Sequence, residues 1–286
     1  MKRMGIFGLV VVLSFAFTAC GIDGLTATEV LEKISESQYQ IESGRFSMEM
    51  GTYVDGEVAG FNPDIEMEIQ GKFDGDIAYT ELKMEMFGTP TFMEGYQVGN
   101  IAYFKSFDLF NLNEEEKFLK FDVEDEIGKD FYEMLQASEV DEMQEDLVNL
   151  AQVTTNRNSS AEQEVNVQIN DQQQLATKLT VELGLDEIMT LIEQEGDLLY
   201  VTGLEEEMLE LIIDDSFDFS LTTYVNNEYQ IIKQKVQIDY ELKMAGEVVK
   251  VKNTIDTEYW DINEDIDINL PEFDETNTID IEEAGL

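Results

Sequence analysis

The sequence predicts an α+β protein built on a strongly curved antiparallel sheet, with helices packed in or over its concave face. Residues of alternating hydrophobicity gather in two groups, over 46–123 and over 217–270, whereas helical spacing dominates the start and the middle of the chain. Runs of strands separated from runs of helices are typical of the α+β class. Long twisted strands with one apolar face curl around a helical plug or lid instead of staying flat.

A first helix is predicted from Thr26. Either Thr26 or Thr28 can act as its N-cap, and Glu29 lies in the first turn, where the helix dipole favours an acidic side chain. Gly44 is predicted to end this helix. Its apolar face combines Val30, Leu31, Ile34 and Ile41.

The first group of strands begins at Phe46, and Asp74-Gly75 is a hairpin turn signal within it. Ile77 and Tyr79 are out of phase with the apolar residues that follow them, so a bulge is predicted in this strand. The strands of the group are predicted near 46–50, 65–70, 77–86, 92–98, 101–107 and 117–123.

Helices dominate the predicted middle of the chain, with one short strand over 165–169. The helical segments are 131–153, 175–192 with a joint near Gly184, and 205–213. The last group has the clearest alternation, with a tight turn at Asn226-Asn227. Its strands are predicted over 217–225, 232–244, 249–259 and 262–270, and Pro271 ends the last of them.

The charge of the chain excludes one class of partner. With 17 basic and 63 acidic residues among 286, the formal net charge is −46. Such a surface repels nucleic acid phosphates and anionic lipid heads, so we expect no nucleic acid partner. The acidity indicates either an adaptation that keeps the protein solvated or the capture of cations.

The absence of histidine excludes further chemistry. Without His there is no Ser-His-Asp triad and no His-ligated zinc. We therefore expect a protein that is not an enzyme and that has no cofactor and no metal. Residues 261–272 place oxygen ligands at the spacing of an EF-hand loop, but Ile266 occupies the glycine position and Pro271 intrudes. The apolar alternation there favours a strand over a calcium loop.

The N-terminus predicts export and a lipid anchor. Lys2 and Arg3 precede an apolar stretch over 6–17 that is too short for a committed membrane span, which is typical of a signal peptide. Thr18-Ala19-Cys20-Gly21 resembles the lipobox of bacterial lipoproteins, in which the cysteine is diacylated. Cys20 is the only cysteine of the chain. We expect the protein on the outer face of the cytoplasmic membrane, held by the lipid on Cys20.

Together with the lipobox, several segments resemble an uncharacterised lipoprotein family of low-GC Gram-positive bacteria, similar in plan to the LolA and LppX lipid carriers. The segments are 30–36, 46–50, 95–105 and 227–231. The resemblance implies an incomplete β-barrel with helices in its concave face, and a hollow that holds acyl chains. It carries over no residue as a ligand contact.

The resulting organisation is a signal peptide over 1–19, a lipidated tether over 20–25, a single LolA/LppX-like half-barrel domain over 26–272 and an acidic, disordered tail over 273–286.

A methionine-rich inward face is the candidate ligand site, because methionine adapts to irregular apolar shapes such as lipid tails. Its residues are Met48, Met50, Met67, Met84, Met86 and Met244. We expect the protein to bind a hydrophobic or amphiphilic ligand at the cell envelope. The alternative is a structural or sensor-accessory lipoprotein in which these methionines fill a core and no ligand binds. The pattern identifies no protein partner.

Cys20→Ser tests the anchor. Because two acyl chains give stable membrane attachment, we expect the wild type in the membrane fraction and the variant outside it. Immunoblotting of membrane and soluble fractions measures this. An unchanged membrane fraction in the variant would contradict the prediction.

Overall fold

The structure, a computed structural model, describes residues 25–38, 41–55, 65–86, 89–106, 117–123, 158–195, 211–213, 216–244 and 247–280. The described helices are α1 (Ala27–Gln38) and α2 (Leu185–Glu195). The described strands are β1 (Ser43–Asp55), β2 (Ile65–Asp74), β3 (Ile77–Met86), β4 (Thr89–Val98), β5 (Ile101–Ser106), β6 (Phe118–Asp122), β7 (Ser159–Ile169), β8 (Gln172–Leu183), β9 (Asp218–Val225), β10 (Ile231–Met244), β11 (Glu247–Trp260) and β12 (Thr278–Asp280).

These strands form one open, curved sheet in the order β12-β6-β5-β4-β3-β2-β1-β11-β10-β9-β8-β7. Every neighbouring pair is antiparallel except β12 and β6. The predicted α+β class with a curved antiparallel sheet is confirmed, and the sheet does not close on itself because β12 and β7 are its two edges.

Two meanders meet at the centre of the sheet. β1 to β6 follow one another in space, as do β7 to β11, and the pairing of β1 with β11 joins the two groups. In this pairing Arg45 lies across from Trp260 and Asp55 from Lys250. The contact therefore joins segments about 200 residues apart.

A capping box begins α1. The Thr26 N–H and hydroxyl both donate to Glu29 Oε2, at 2.7 and 2.9 Å, and the Glu29 N–H donates to Thr26 Oγ1 at 3.2 Å. The backbone hydrogen bond from Thr26, followed by the hydroxyl, lowers the pKa of Glu29. Thr26 is therefore the N-cap. The predicted end at Gly44 is wrong, since α1 ends at Gln38 and Gly44 lies in β1.

The main core lies between α1 and the second meander. We call the face of the sheet on which α1 packs the inner face, and the opposite face the outer face. Val30, Leu31 and Ile34 of α1 are buried against inner-face residues of β8 to β11, and Ile188 of α2 joins the same cluster. The buried strand residues include Leu179, Val181, Leu221, Val225, Ile238, Leu242 and Val249.

The predicted bulge in β3 is wrong. β3 pairs with β2 and β4 in continuous register. Tyr79 is out of phase with Leu82 because it faces outward, where its ring lies 4.9 Å from that of Tyr96. The shift in the hydrophobic pattern therefore marks a second apolar surface on the outer face.

The predicted helix over 175–192 is wrong in its first part. Residues 172–183 form β8, and only 185–195 are helical. Leu179 and Leu183 are four residues apart, which suits one face of a strand as well as one face of a helix. Asn170 and Asp171 adopt positive φ angles of 42° and 64°, which suits the tight hairpin turn from β7 to β8.

Two predicted helices fall wholly or partly outside the described residues. The segment over 131–153 lies outside the described residues. Of the segment over 205–213, residues 211–213 are described, and there Ile212 forms a β-bridge with Leu242 instead of a helical turn.

The predicted fourth strand over 262–270 is also wrong. β11 ends at Trp260, and Asp261 and Asn263 have φ angles of 53° and 59°, which turn the chain out of the sheet. The Asn263 N–H donates to Ser43 O at 2.9 Å, and Lys72 Nζ donates to Asp267 O at 2.7 Å. We call residues 261–280 the C-terminal strap, because they cross the outer face.

The strap ends on an aromatic cluster. The Phe273 ring stacks on Tyr103 with centroids 3.8 Å apart and meets Tyr96 and Phe118 edge to face. Beyond it, β12 pairs in parallel with β6. Residues 273–280 were expected in a disordered tail, and the aromatic contacts and this pairing order them instead. Residues 281–286 lie outside the described part.

Phe273→Ala removes the ring that fixes the strap. Because the partly buried ring contacts three others, we expect the free energy of unfolding to fall by about 2 kcal/mol. Phe92→Ala is the control, since Phe92 also lies on the outer face but is 46% exposed, and a change below about 0.5 kcal/mol is expected there. Urea denaturation measures both; equal effects would contradict the role of the strap.

The tyrosines under the strap predict alkaline sensitivity. Burial raises the pKa values of Tyr79 and Tyr96, and so do their hydrogen bonds to Glu81 and Glu94, at 2.6 and 2.7 Å. A raised folded pKa means that stability is full below the ordinary tyrosine pKa of about 10 and is lost as the pH rises above it.

We therefore expect the urea midpoint to decline above about pH 10. The double variant Tyr79→Phe with Tyr96→Phe should decline less. If the urea midpoint of the double variant fell as steeply with pH as that of the wild type, the two tyrosines would not be the cause of the decline.

Candidate functional site

Three of the predicted methionines form a row across adjacent strands. Met50 of β1 lies directly across from Met67 of β2, and Met67 lies directly across from Met84 of β3. Ile255 of β11 extends the row on one side and Thr91 of β4 on the other. Residues directly opposite each other share a face of the sheet, so the methionine row, Met50–Met67–Met84, lies on the inner face.

A second apolar row runs beside it. Met48, Ile69, Leu82 and Met93 lie across from one another on β1 to β4. A hollow of about 80 Å³ lies on this part of the inner face, and its lining includes Ile69, Leu82, Met93 and Phe104. The hollow adjoins the methionine row.

A third row on the inner face consists of Phe46, Gly71, Thr80, Gly95 and Phe104, and aromatic rings lie over its glycines. A Cβ on Gly71 would lie 2.4 Å from the Phe46 ring, and one on Gly95 would lie 2.6 Å from the Phe104 ring. Glycine is therefore required at both positions for the rings to lie flat on the neighbouring strand. The rings extend the apolar surface of the inner face beyond the methionines.

The register places four of the six predicted methionines, Met48, Met50, Met67 and Met84, on the inner face. The side chains of Met86 and Met244 and the whole of Cys20 lie outside the described part. Prediction from sequence missed Met93, which is buried on the same face. Met93 alternates with Thr91 and Gly95, and this alternation could have placed it on the inner face. The pattern is weak because neither Thr91 nor Gly95 has a large apolar side chain.

The two halves of the inner face differ in burial. Leu179 and Val249 in the second meander are almost completely buried under α1. Met50, Met67 and Met84 in the first meander keep part of their surface exposed. The inner face is therefore closed at one half and accessible in part at the other.

Charge is segregated between the two faces. The inward positions of β1 to β6 carry no charged side chain, although 28% of all residues are charged. Every basic residue on the described strands faces outward. They are Arg45, Lys72, Lys83, Lys105, Lys120, Lys178, Lys233, Lys235, Lys243, Lys250 and Lys252.

Ion pairs occupy the outer face behind the methionine row. Lys233 contacts Glu258 and Asp256, and Lys235 Nζ lies 2.6 Å from Asp256 Oδ2. Burial opposes the charge on Lys233, but these carboxylates more than offset it and raise its pKa. A groove of about 530 Å³ on this face is lined mostly by outward residues, among them Glu49, Glu66 and Lys83, and Met50 and Met67 also contribute to its lining. The outer face therefore carries charged side chains here, whereas the inward positions of the same strands carry none.

The described residues offer no group of three or more acidic side chains that could hold a metal ion. The segment with EF-hand spacing is part of the strap. There Asp261 Oδ2 lies 2.9 Å from Arg45 Nε, and Ile266 is buried. No helix within the described part of the chain combines the length and the apolarity needed to cross a membrane.

Comparison with known proteins gives structural similarity alone. No family model matches the chain, and no curated protein matches it in sequence. The lipoprotein LppX from Mycobacterium tuberculosis is similar over 85% of this chain and 98% of its own, with a TM-score of 0.34 and 8% identity.

Two further solved structures are similar. A LolA superfamily protein from Nitrosomonas europaea is similar over 87% of this chain and 96% of its own, with a TM-score of 0.26 and 10% identity. A DUF1329 family protein from Desulfovibrio piger is similar over 85% and 93%, with a TM-score of 0.24 and 8% identity.

Proposed function

We propose that this protein is a membrane-anchored, extracytoplasmic lipoprotein that binds a lipid-like ligand on the inner face, around the methionine row. The observation that supports the proposal most is the absence of charge from the inward positions of β1 to β6, in a chain with a net charge of −46. An apolar surface that remains partly exposed in so polar a chain is typical of a binding site.

Methionine suits the variable shape of lipid tails. Its unbranched side chain has three rotatable bonds and a polarisable sulfur, so a row of methionines can repack around different acyl chains. Each methylene that leaves water contributes about 0.8 kcal/mol. A few buried methylenes therefore give a useful affinity without any polar contact.

The proposed location follows from the N-terminal sequence. Residues 1–19 are proposed to direct export, and acylated Cys20 holds the folded domain at the outer face of the cytoplasmic membrane. The protein then passes or shields its ligand at the envelope. We propose no catalytic step and no cofactor.

A second candidate function is a structural or sensor-accessory lipoprotein without a ligand. The burial of α1 against β8 to β11 favours it, because that half of the inner face is a filled core. Met50, Met67 and Met84 remain partly exposed, and for this reason we propose the ligand at the other half.

Met67→Glu tests the proposed site. A carboxylate in the centre of the methionine row lacks a partner, so covering it with acyl chains costs a few kcal/mol. We expect about tenfold or greater loss of N-phenyl-1-naphthylamine binding, measured by fluorescence, and of lipid that co-purifies from membranes, measured by mass spectrometry.

Gln70→Glu is the matched control, because it adds the same charge on the outer face of the same strand. Its binding should equal that of the wild type, and Met67→Leu should also bind. Circular dichroism checks the fold of each variant. A wild type that carries no lipid and binds no probe would contradict the proposed function.

A further inference from the structure

The inner face contains a buried acceptor without a donor. Asn253 Oδ1 is inaccessible to solvent and has no hydrogen-bond partner among the described residues. Burial raises the pKa of Tyr240, and hydrogen bonding from the Asn253 amide opposes that shift. A buried acceptor left unpaired costs about 1–3 kcal/mol.

Asn253 lies beside the methionine row. On β11 it lies across from Thr52 of β1 and from Ile238 of β10, which places it on the inner face. Ile255, two residues away and thus about 7 Å along the strand, lies across from Met50. A lipid on the methionine row therefore lies one inward position of β11 away from this amide.

The charges of the protein limit the head group. An anionic head that entered the inner face of β1 to β6 would meet no basic side chain of the described strands, because all of these side chains face outward. An anionic head that stayed in solvent would meet a chain with a net charge of −46. Both positions disfavour a phosphate.

We propose that the ligand is an uncharged acyl lipid with a free hydroxyl on its head, and that this hydroxyl donates a hydrogen bond to Asn253 Oδ1. The inference rests on the proposed function and assigns it a ligand class. The methionine row holds the acyl part, and Asn253 selects the head. Dioleoylglycerol is the simplest probe with these properties.

Competition against N-phenyl-1-naphthylamine compares three lipids. They are dioleoylglycerol, its acetyl ester, which lacks the donor, and dioleoylphosphatidylglycerol, which is anionic. One hydrogen bond contributes about 1 kcal/mol, so the wild type should bind dioleoylglycerol about fivefold more tightly than the ester. Phosphatidylglycerol should bind about tenfold more weakly than dioleoylglycerol.

Asn253→Leu removes the acceptor at similar volume, and its preference for dioleoylglycerol over the ester should fall to within about twofold. Asn253→Val, which suits a strand, serves if the leucine variant does not fold. Thr223→Val is the matched control. Thr223 Oγ1 is also buried without a partner among the described residues, but it lies on β9, two strands beyond β11 and farther from the methionine row, so its loss should leave the preference unchanged.

Three results would overturn the inference while lipid binding itself persisted. They are equal wild-type affinity for dioleoylglycerol and its ester, a preference that survives in both Asn253 variants, and binding of phosphatidylglycerol as tight as that of dioleoylglycerol. Failure of every lipid and of the fluorescent probe to bind would instead refute the proposed function on which the inference rests.

Discussion

The pairing of β1 with β11 is the constraint on which the structure depends. It joins the two meanders and aligns 45–55 with 250–260, so that the inward residues of one half continue those of the other. A slip of one residue would turn Glu49 and Asp55 into the apolar interior and the methionines into water. The cost of burying those carboxylates fixes the register. The pairings of β2 with β1 and with β3 then align the methionine row, because its members come from these three strands.

The sequence predicts those parts of the fold in which apolar residues recur with one regular period, either that of a strand or that of a helix. The strands β1 to β6 and β9 to β11 and the capped start of α1 follow from alternation and from Thr26 with Glu29. The leucines of β8 predict a helix because a spacing of four suits both structures. The strap was mistaken for a strand because its isoleucines alternate, whereas the left-handed residues Asp261 and Asn263 redirect the chain. Hydrophobic pattern carries no information about such a turn.

The candidate site was predictable in composition but not in arrangement. Alternation places the methionines of each strand on one face. It cannot show that Met50, Met67 and Met84 are direct neighbours, since that depends on the register between strands. The unpaired oxygen of Asn253 is likewise a property of the folded chain. The strap also affects which apolar surface is accessible. Phe273 covers apolar rings on the outer face, so the partly exposed apolar surface around the methionines lies on the inner face.

The central claim is that the methionine row contacts a lipid, and methyl NMR of the full chain labelled with ¹³C-methyl methionine tests it most directly. Addition of dioleoylglycerol should shift the methyl resonances of Met50, Met67 and Met84 and give nuclear Overhauser contacts to the acyl chain. The same lipid should leave the ion pairs of Lys233 on the outer face unaffected. Unchanged resonances for all three methionines at saturating lipid would contradict the claim.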